Sequence, residues 1–346
     1  MGRDTWPALL NHLVDGGDLP AADTSWAMGE IMSGNATQAQ IAGFAVALRS
    51  KGETPDEISG MAAGMLRHAR RVTVPRRAVD VVGTGGDRSG SVNISTMSAI
   101  VTAASGVPVV KHGNRSASSK AGTADVLEIL GVAIGLESAG VEQCVQDLGI
   151  GFCFAPVFHP AFRHAGGPRR ELGIPTAFNL LGPLTNPAQP AAGLVGCAFE
   201  RLAPVMAEVF AGRGASVLVV RGDDGLDEIT TCATSSAWVV EGGVVRLEQI
   251  DPAAFGIDLV RPEDLRGGNA EENAQVVRDV LAGAKGPIRD AVLLNAAGAV
   301  AAYRGFTADL TADLAAGLEQ VANAVDSGAA ADLLTRWATL SSKLAA

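Results

Sequence analysis

The feature that most constrains the fold is an alternation of short apolar runs with helical segments, which starts at residue 78. The apolar runs cover 78–83, 107–113, 149–156, 192–199 and 215–222, and helical patterns occupy 93–106, 122–131 and 200–214. Strands that alternate with helices form a sheet with helices on its faces. Two further apolar runs in 235–250 flank a Glu-Gly-Gly turn and predict a hairpin, and the chain beyond about residue 268 is predicted to be helical. The sequence therefore predicts an α/β domain with a central, largely parallel sheet.

The first 70 residues show no strand pattern and predict four short helices instead. Thr37 and Thr54 are each followed, three residues later, by Gln or Glu, which is the pattern of a capping box. Pro55 then occupies a first helical position. The two earlier helices are predicted to begin at Asp4 and Asp23, because Asp is a favoured N-cap residue. We therefore predict a small all-helical N-terminal domain over 1–70 and an α/β domain over 71–346.

The composition narrows the kind of ligand that this chain can bind. Its 346 residues carry a formal net charge of −10, so a broad surface for nucleic acid or an anionic membrane is not expected. No apolar run reaches the length of a membrane span, and the N-terminus lacks the apolar core of a signal peptide. The four cysteines do not have metal-ligand spacing. We expect a cytoplasmic protein with reduced cysteines that holds any anionic ligand locally.

The segment DVVGTGGDRSGSVNIST, residues 80–96, joins the first strand to a helix through a glycine-rich turn. It is not a P-loop, because no Lys follows its glycines. Without Cβ atoms at Gly83, Gly85 and Gly86, backbone N–H groups can approach an anion closely, and the helix N-terminus that follows favours negative charge. The alternative is that the glycines only turn the chain. Asp87 is the unusual member, and it either accepts hydrogen bonds from a sugar or bound water or braces the backbone of its own loop.

The segment KHGNRSASSKAGT, residues 111–123, follows the second strand and should lie at the same edge of the sheet. Its cations, hydroxyls and glycines suit a polyphosphate, although a solvated polar loop would have a similar composition. His112 is a candidate general base, because its ordinary pKa lies near neutrality. Since no carboxylate lies near it in the sequence, His112 could equally shape the pocket without transferring a proton.

Two more segments carry groups that could contact a ligand. The turn RGDDGLDEITT offers Asp223, Asp224, Asp227 and Glu228, and such hard oxygen ligands suit Mg²⁺, unless the turn is only an acidic surface feature. The stretch 158–188 is punctuated by Pro and Gly and is predicted to be a long functional loop. Its Arg169 or Arg170 could form a bidentate pair with a substrate carboxylate, or either could be a surface charge on a helix.

Together these segments resemble the anthranilate phosphoribosyltransferase family, whose architecture related nucleoside phosphorylases share. The resemblance rests on GTGGD, NIST, KHGNR followed by SS and TADVLE, FNLLGPLTNP and the Asp-Glu pair, and it covers nearly the whole chain. It implies transfer of the phosphoribosyl group of 5-phosphoribosyl 1-pyrophosphate to the amine of anthranilate, in tryptophan biosynthesis. It further implies two Mg²⁺ ions per chain and a homodimer formed through the helical domain.

The resemblance also assigns residues. It implies that phosphoribosyl pyrophosphate is held by Gly83, Gly86, Asp87, Ser91, Asn93, Ile94, Ser95, Thr96, Lys111, His112, Gly113, Asn114, Arg115, Ser116, Ala117, Ser118, Ser119 and Thr123. Anthranilate would be contacted by Gly83, Asn114 and Arg169. One Mg²⁺ would be held by Ser95 and Glu228, and the other by Asp227 and Glu228. No residue is assigned as a catalytic acid or base.

Two positions depart from the family pattern. Pro168 stands before Arg169 where the family usually has a branched apolar residue, and Pro175 stands where many members have Arg. Both departures concern the anthranilate contacts rather than the phosphoribosyl contacts. Two rival functions are a nucleoside phosphorylase and a catalytically silent, nucleic-acid-binding relative, and the net charge of −10 argues against the second.

Overall fold

The computed structural model describes residues 5–74, 77–115 and 120–346. Its N-terminal part consists of four helices: α1 (Trp6–Val14), α2 (Ala21–Met32), α3 (Gln38–Lys51) and α4 (Pro55–Arg67). The capping boxes predicted at Thr37 and Thr54 are both present. The predicted start of α2 at Asp23 is wrong, because Pro20 is extended and serves as the N-cap, which leaves Asp23 in the first turn. The predicted start of α1 at Asp4 lies outside the described residues, and the helix begins after Thr5.

A seven-stranded sheet forms the centre of the larger part, and its spatial order is β3-β2-β1-β4-β5-β6-β7. The strands are β1 (Val79–Gly83), β2 (Val109–Gly113), β3 (Ile150–Phe154), β4 (Ala192–Gly196), β5 (Ser216–Gly222), β6 (Ser235–Glu241) and β7 (Val244–Ile250). The first five are parallel, and β6 and β7 form an antiparallel hairpin at one edge. The prediction of a largely parallel sheet beside an all-helical N-terminal part is thus confirmed.

Helices cover both faces of this sheet. They are α5 (Ile94–Ala104), α6 (Thr123–Ile129), α7 (Ser138–Leu148), α8 (Ala155–Phe158), α9 (Gly166–Leu172), α10 (Leu181–Leu184), α11 (Ala203–Gly212), α12 (Ala270–Leu281), α13 (Pro287–Arg304), α14 (Leu310–Asp326) and α15 (Ala329–Ala345). Short 3-10 helices span Pro160–Ala165, Ala177–Leu180, Pro252–Phe255 and Pro262–Leu265. The prediction that 158–188 is a long loop is wrong. Its Pro and Gly residues delimit short helices instead: Gly173, with φ +63°, ends α9, and Thr176 caps the next turn together with Asn179.

The sheet separates two hydrophobic cores. Alternate strand residues such as Leu194 and Leu218 face the first core, which contains α5, α13 and α14. Their neighbours Val195 and Val217 face the second core, which also contains buried side chains of all four N-terminal helices, such as Phe44. The N-terminal helices and the sheet therefore share one core. Within the described residues, no helix is long and apolar enough to cross a membrane.

The strand order reverses between β1 and β4, and such a reversal forms a crevice at the carboxyl edge of an open α/β sheet. From β1 the chain proceeds outward through β2 to β3, and it then returns to place β4 on the other side of β1. In open α/β sheets, ligands bind at such a reversal, outside the carboxyl ends of the strands. Four parallel strands end there in glycine, namely Gly83, Gly113, Gly196 and Gly222.

Candidate functional site

The glycine-rich loop after β1 has an unusual backbone that only a few residue types adopt readily. Gly85, Gly86 and Gly90 have φ of +66°, +87° and +66°, and Arg88 between them has φ +61°. A positive φ is uncommon for a residue with a Cβ and marks a conformation that surrounding contacts hold in place. Asp87 Oδ1 supplies one such contact by accepting from Ser89 N at 3.2 Å. The loop is therefore a fixed structure, and Asp87 braces its backbone.

Asp87 also belongs to an acidic cluster with Asp227 and Glu228. One carboxylate oxygen of each residue lies within 4.8 Å of those of the other two. Burial, together with the charge of Asp87, raises the pKa of Asp227 to about 7, and burial and both neighbouring charges raise the pKa of Glu228. Glu228 Oε2 is buried and has no hydrogen-bond partner. Repelling, partly unpartnered carboxylates of this kind fit a divalent cation such as Mg²⁺.

Ser95, the other residue predicted at a metal, lies beside this cluster. Ser95, Asp227 and Glu228 line the same small cavity, of about 10 Å³, beneath the ends of β1 and β4. The structure thus brings the three predicted metal residues together and adds Asp87 to them. Sequence reasoning missed this addition because Asp87 and Asp227 are 140 positions apart, and only the unexplained acid within a glycine loop hinted at it.

Two glycines and one asparagine set the position of the acidic turn. A Cβ on Gly196 would lie 1.4 Å from the carbonyl oxygen of Asp227, and one on Gly83 would lie 2.4 Å from Asp227 Oδ2. Asp227 Oδ2 in turn accepts from Gly85 N at 2.6 Å. On the other side, the buried Asn295 of α13 accepts from Ile229 N at 2.9 Å and donates to Ile229 O at 2.8 Å. The turn is held between β4, the glycine loop and α13.

Lys111 is a buried cation next to this cluster. Lys111 and His112 lie within β2, at the end of the predicted strand 107–113, since the ladder to β3 continues to Gly113. Lys111 Nζ donates to Val81 O and to Ser95 Oγ, the latter at 3.2 Å. Burial lowers its pKa to about 8, although the charges of Asp80, Glu228 and Asp227 oppose that shift. Lys111 therefore places positive charge beside Ser95 and the acidic cluster.

Hydrogen bonds join the two predicted phosphate loops. Thr96 Oγ1 donates to Thr123 Oγ1 at 3.2 Å, and Asn93 Nδ2 donates to Ala121 O at 3.3 Å. Asn93 Oδ1 also accepts from Asn273 Nδ2 of α12 at 2.8 Å. The start of α5 and the start of α6 consequently form one wall of the crevice.

The remaining predicted contacts are placed as follows. The backbone of Ser91 forms an isolated antiparallel β-bridge with that of Arg266. Ile94 is buried and can offer a ligand only its backbone. Asn114 Oδ1 accepts from Arg115 N at 2.7 Å, while the Arg115 side chain pairs with Asp125 at 2.7 Å and Glu128 at 2.5 Å. The predicted residues Ser116, Ala117, Ser118 and Ser119 lie outside the described residues.

His112 is poorly suited to act as a general base. Its Nδ1 lies 2.8 Å from Gly182 O, which assigns the proton to Nδ1 and leaves Nε2 unprotonated. Burial, together with the nearby His159 ring 5.2 Å away, lowers the pKa of His112 to about 3. Its Nε2 is buried without a hydrogen-bond partner. At neutral pH His112 is therefore a neutral, buried ring that shapes this part of the sheet edge.

Arg169 lies on α9 with its guanidinium 5.1 Å from the centre of the Phe162 ring, which in turn packs against Phe178. Partial burial lowers its pKa, and no acidic partner for it is present in the part of the chain that the structure describes. Pro168 is buried in the first turn of α9, where its missing N–H costs no helical hydrogen bond. The carbonyl of Pro175, the second departure from the family pattern, accepts from Arg49 of α3. Arg169 is thus a cation on an aromatic support without a counter-charge.

Comparison with known proteins gives consistent matches over the whole chain. A sequence model of the glycosyl transferase family helical bundle domain matches residues 7–69, and one of the same family's a/b domain matches residues 75–331. An anthranilate phosphoribosyltransferase of Saccharopolyspora erythraea is 68% identical over 340 residues, which is 98% of this chain and 97% of the relative. An anthranilate phosphoribosyltransferase of Nocardia farcinica is 63% identical over 342 residues, which is 97% of this chain and 99% of the relative.

Solved structures agree with these sequence matches. Anthranilate phosphoribosyltransferase from Thermus thermophilus aligns with a TM-score of 0.89 at 41% identity and covers 98% of this chain and 99% of its own. The Saccharomyces cerevisiae enzyme in complex with phosphoribosyl pyrophosphate and Mg also aligns with a TM-score of 0.89, at 27% identity and 99% coverage of both chains. On this evidence the chain belongs to the anthranilate phosphoribosyltransferase family.

Proposed function

We propose that this enzyme transfers the phosphoribosyl group of 5-phosphoribosyl 1-pyrophosphate to the amine of anthranilate, which gives N-(5-phosphoribosyl)anthranilate and pyrophosphate in tryptophan biosynthesis. The observation that carries the proposal is the cluster of Asp87, Asp227 and Glu228 beside Lys111 at the crevice, in a chain of this family. A related yeast structure holds phosphoribosyl pyrophosphate and Mg, which is the ligand chemistry that such a cluster suits.

The phosphoribosyl substrate would lie between the two loops that Thr96 and Thr123 join. We assign its contacts to the glycine loop, the start of α5 and the segment 111–123, as the family resemblance implies. Departure of pyrophosphate leaves positive charge on the ribose and adds negative charge to the leaving group. Lys111, beside Ser95, can stabilise the leaving group, and Arg115 can do so once it exchanges its ion pairs with Asp125 and Glu128 for the pyrophosphate.

Mg²⁺ ions, when bound, neutralise the pyrophosphate and polarise the bond that breaks. We propose two ions per chain, one held by Ser95 and Glu228 and one by Asp227 and Glu228, with Asp87 within reach of both carboxylates. A divalent cation favours the ionised forms of Asp227 and Glu228. Because the pKa of each is raised in the free protein, cation binding is expected to release protons. Calorimetric titration in the presence of phosphoribosyl pyrophosphate would count the ions.

Anthranilate would be bound near Gly83, Asn114 and Arg169. Arg169 has no acidic partner among the described residues and can pair with the carboxylate of this aromatic acid, while Phe162 supports the guanidinium. Because an aryl amine is neutral at pH 7, positioning it matters more than removing a proton before attack. This chemistry fits a site without a strong general base.

The test of this function is a fluorescence assay of anthranilate turnover with phosphoribosyl pyrophosphate and Mg²⁺. We expect turnover only when all three are present, and no turnover with all three would contradict the proposal.

Arg169→Gln should raise the KM for anthranilate by roughly tenfold or more, since it removes a charge-assisted pair, while the KM for phosphoribosyl pyrophosphate changes little. Arg170→Gln, the exposed neighbour on the same helix, is the matched control. Equal effects of Arg169→Gln on both KM values would argue against its role.

We further propose a homodimer formed through the helical N-terminal part. Val14 at the end of α1 is 77% exposed and Val46 on α3 is 37% exposed, so these helices present apolar side chains on the outside. Light scattering at several concentrations would measure the mass, and Val14→Lys should favour the monomer.

We also propose a cytoplasmic location, because all four cysteines are free thiols, as is usual in a reducing compartment.

A further inference from the structure

A second cavity lies at the opposite edge of the sheet from the substrate crevice. It is a half-open pocket of about 540 Å³, bordered by α4, the end of α11, and the first residues of β1, β4 and β5. The substrate crevice lies at the carboxyl ends of these strands, whereas this cavity lies at their amino ends. Its volume is in the range of sites that bind small organic molecules.

Three arginines line this cavity: Arg67 on α4, Arg71 after it, and Arg213 at the end of α11. Each makes one hydrogen bond to a neutral group, namely Arg67 to Ser25 O at 3.1 Å, Arg71 to Gln189 Oε1 at 2.5 Å and Arg213 to Leu184 O at 2.8 Å. No ion pair of these three arginines occurs within the residues that the structure describes. Such a concentration of unpaired positive charge is notable in a chain with a net charge of −10.

Asp80 is the one acidic residue among those that line the cavity, and it does not neutralise the arginines. Its Oδ1 accepts from His112 N at 3.1 Å, and its Oδ2 accepts from Asn186 Nδ2 at 2.8 Å. The charge of Lys111 acts on Asp80, and no ion pair joins Asp80 to the three arginines in the described part of the chain, so the guanidinium groups keep their capacity to bind an anion.

Apolar side chains form the other walls of the cavity. In addition, one residue of the lining has a constrained backbone. Leu66, Leu184, Phe210 and Val217 contribute hydrophobic surface. Gln189, which also lines the cavity, has φ +46° although it has a side chain and precedes a proline. Residues held in this region cost free energy and cluster at ligand sites. The cavity thus combines cationic groups, an apolar surface and a fixed loop.

We propose that this cavity is a binding site for a small organic anion with a flat apolar body, separate from the substrate crevice. The arginines would bind the acidic group, and the apolar wall would bind the body. Asp80 links the cavity to β2, because it holds the backbone of His112 next to Lys111. Occupancy is therefore expected to change the affinity for phosphoribosyl pyrophosphate.

The test uses 1-anilinonaphthalene-8-sulfonate, a fluorescent aromatic anion, with naphthalene-2-carboxylate as competitor. Arg213→Gln and Arg67→Gln should each weaken its binding roughly tenfold, since each removes a charge-assisted contact. Ala63→Trp, which fills the cavity from α4 and leaves the arginines in place, should abolish binding. The matched controls are Arg336→Gln and Ala315→Trp, at exposed positions of α15 and α14, and both should bind the probe as the wild type does.

Two results would overturn the whole proposal, and two more would refute one part of it. One is probe binding by Arg213→Gln and Ala63→Trp within twofold of the wild type, with thermal unfolding showing that both are folded. The other is loss of probe binding in Arg169→Gln, which would place the probe in the substrate crevice. Displacement by inorganic phosphate as effective as that by naphthalene-2-carboxylate would refute the apolar half of the site. An affinity for phosphoribosyl pyrophosphate that is unchanged by saturating probe would refute the link through Asp80.

Discussion

At the scale of single residues, Gly196 determines where the carboxylates of the acidic turn lie. Any side chain at this position would meet the backbone carbonyl of Asp227, because a Cβ would lie 1.4 Å from that oxygen. Gly196→Ala must therefore displace Asp227 and Glu228 by an ångström or more. We expect kcat/KM to fall by about a hundredfold, since misplacement on this scale has such effects, and the thermal stabilisation by Mg²⁺ to shrink.

Gly193 provides the matched control on the same strand. A Cβ there would meet its nearest neighbours at 3.5, 3.6 and 3.7 Å, which is ordinary van der Waals contact. Gly193→Ala should keep near wild-type turnover and the full Mg²⁺-dependent rise in melting temperature. Comparable losses in both variants would show that β4 tolerates no added Cβ, and Gly196 would then have no special role in placing the acidic turn.

The buried His159 makes the protein sensitive to acid. Burial, assisted by the charge of Arg71 and opposed by a hydrogen bond to Thr185 O, lowers its pKa from 6.5 to about 4. The unfolded chain binds this proton below pH 6.5 and the folded chain does not, so stability is full above that pH and falls as the pH drops toward 4. Between pH 7 and 5 this one residue should cost about 2 kcal/mol of unfolding free energy.

His159→Gln should remove that part of the acid sensitivity, because Gln can still donate to Thr185 O but does not titrate. Urea unfolding at pH 7 and pH 5 would measure the difference for the variant and the wild type. His164→Gln, a less buried neighbour, is the control. If the variant and the wild type lost the same unfolding free energy on acidification, His159 would not be the group responsible.

Residue-scale features were predictable from the sequence only where the cause was local. Thr37 and Thr54 form the predicted capping boxes because the residues involved are three positions apart. The roles of Asp87 and Gly196 depend on Asp227, which is distant in sequence and is brought near by the pairing of β1 with β4. The ion pairs of Arg115 with Asp125 and Glu128 were not predicted, because they depend on the helical spacing of α6.

At the scale of elements, α13 links the core to the acidic turn through Asn295. This side chain is fully buried and makes hydrogen bonds to Ile229 N, Ile229 O and Ala291 O. Asn295→Leu has a similar shape but leaves both backbone groups of Ile229 without a partner, which should cost about 2–4 kcal/mol. Because Ile229 follows Glu228, we also expect a several-fold higher Mg²⁺ concentration for half-maximal thermal stabilisation.

The control for Asn295 is Ser98→Ala, which removes a buried hydrogen bond between α5 and α13, from Ser98 Oγ to Val292 O at 3.1 Å, away from the turn. It should lower stability without moving the Mg²⁺ midpoint. A shift of that midpoint in proportion to lost stability in both variants would show that Asn295 acts on the fold alone. The predicted strands and hairpin were found because their runs are mostly apolar and are bounded by turn residues, whereas α8 and α10 span four residues each, too few to show a helical period.

At the scale of the whole molecule, the helical part and the sheet depend on a shared core. Leu9, Phe44 and Met28 belong to the same hydrophobic cluster as Val195 and Val217 of the sheet. Both parts are predictable from the sequence, yet their packing is not, since neither pattern states which surface meets the other. Unfolding the N-terminal helices would expose one face of the sheet, so we expect the chain to lose both parts in one transition.

Tryptophan fluorescence can test this expectation, because the four tryptophans are divided between the two parts. Trp6 and Trp26 contact each other in the helical part, at 5.4 Å between ring centres, while Trp238 lies on β6 and Trp337 on α15. One double variant, Trp6→Phe with Trp26→Phe, reports on the α/β part, and the other, Trp238→Phe with Trp337→Phe, reports on the helices. In each variant the urea midpoint by fluorescence should equal that by circular dichroism. A helical part that unfolds at a lower urea concentration than the sheet would show that the second core is two weakly joined clusters.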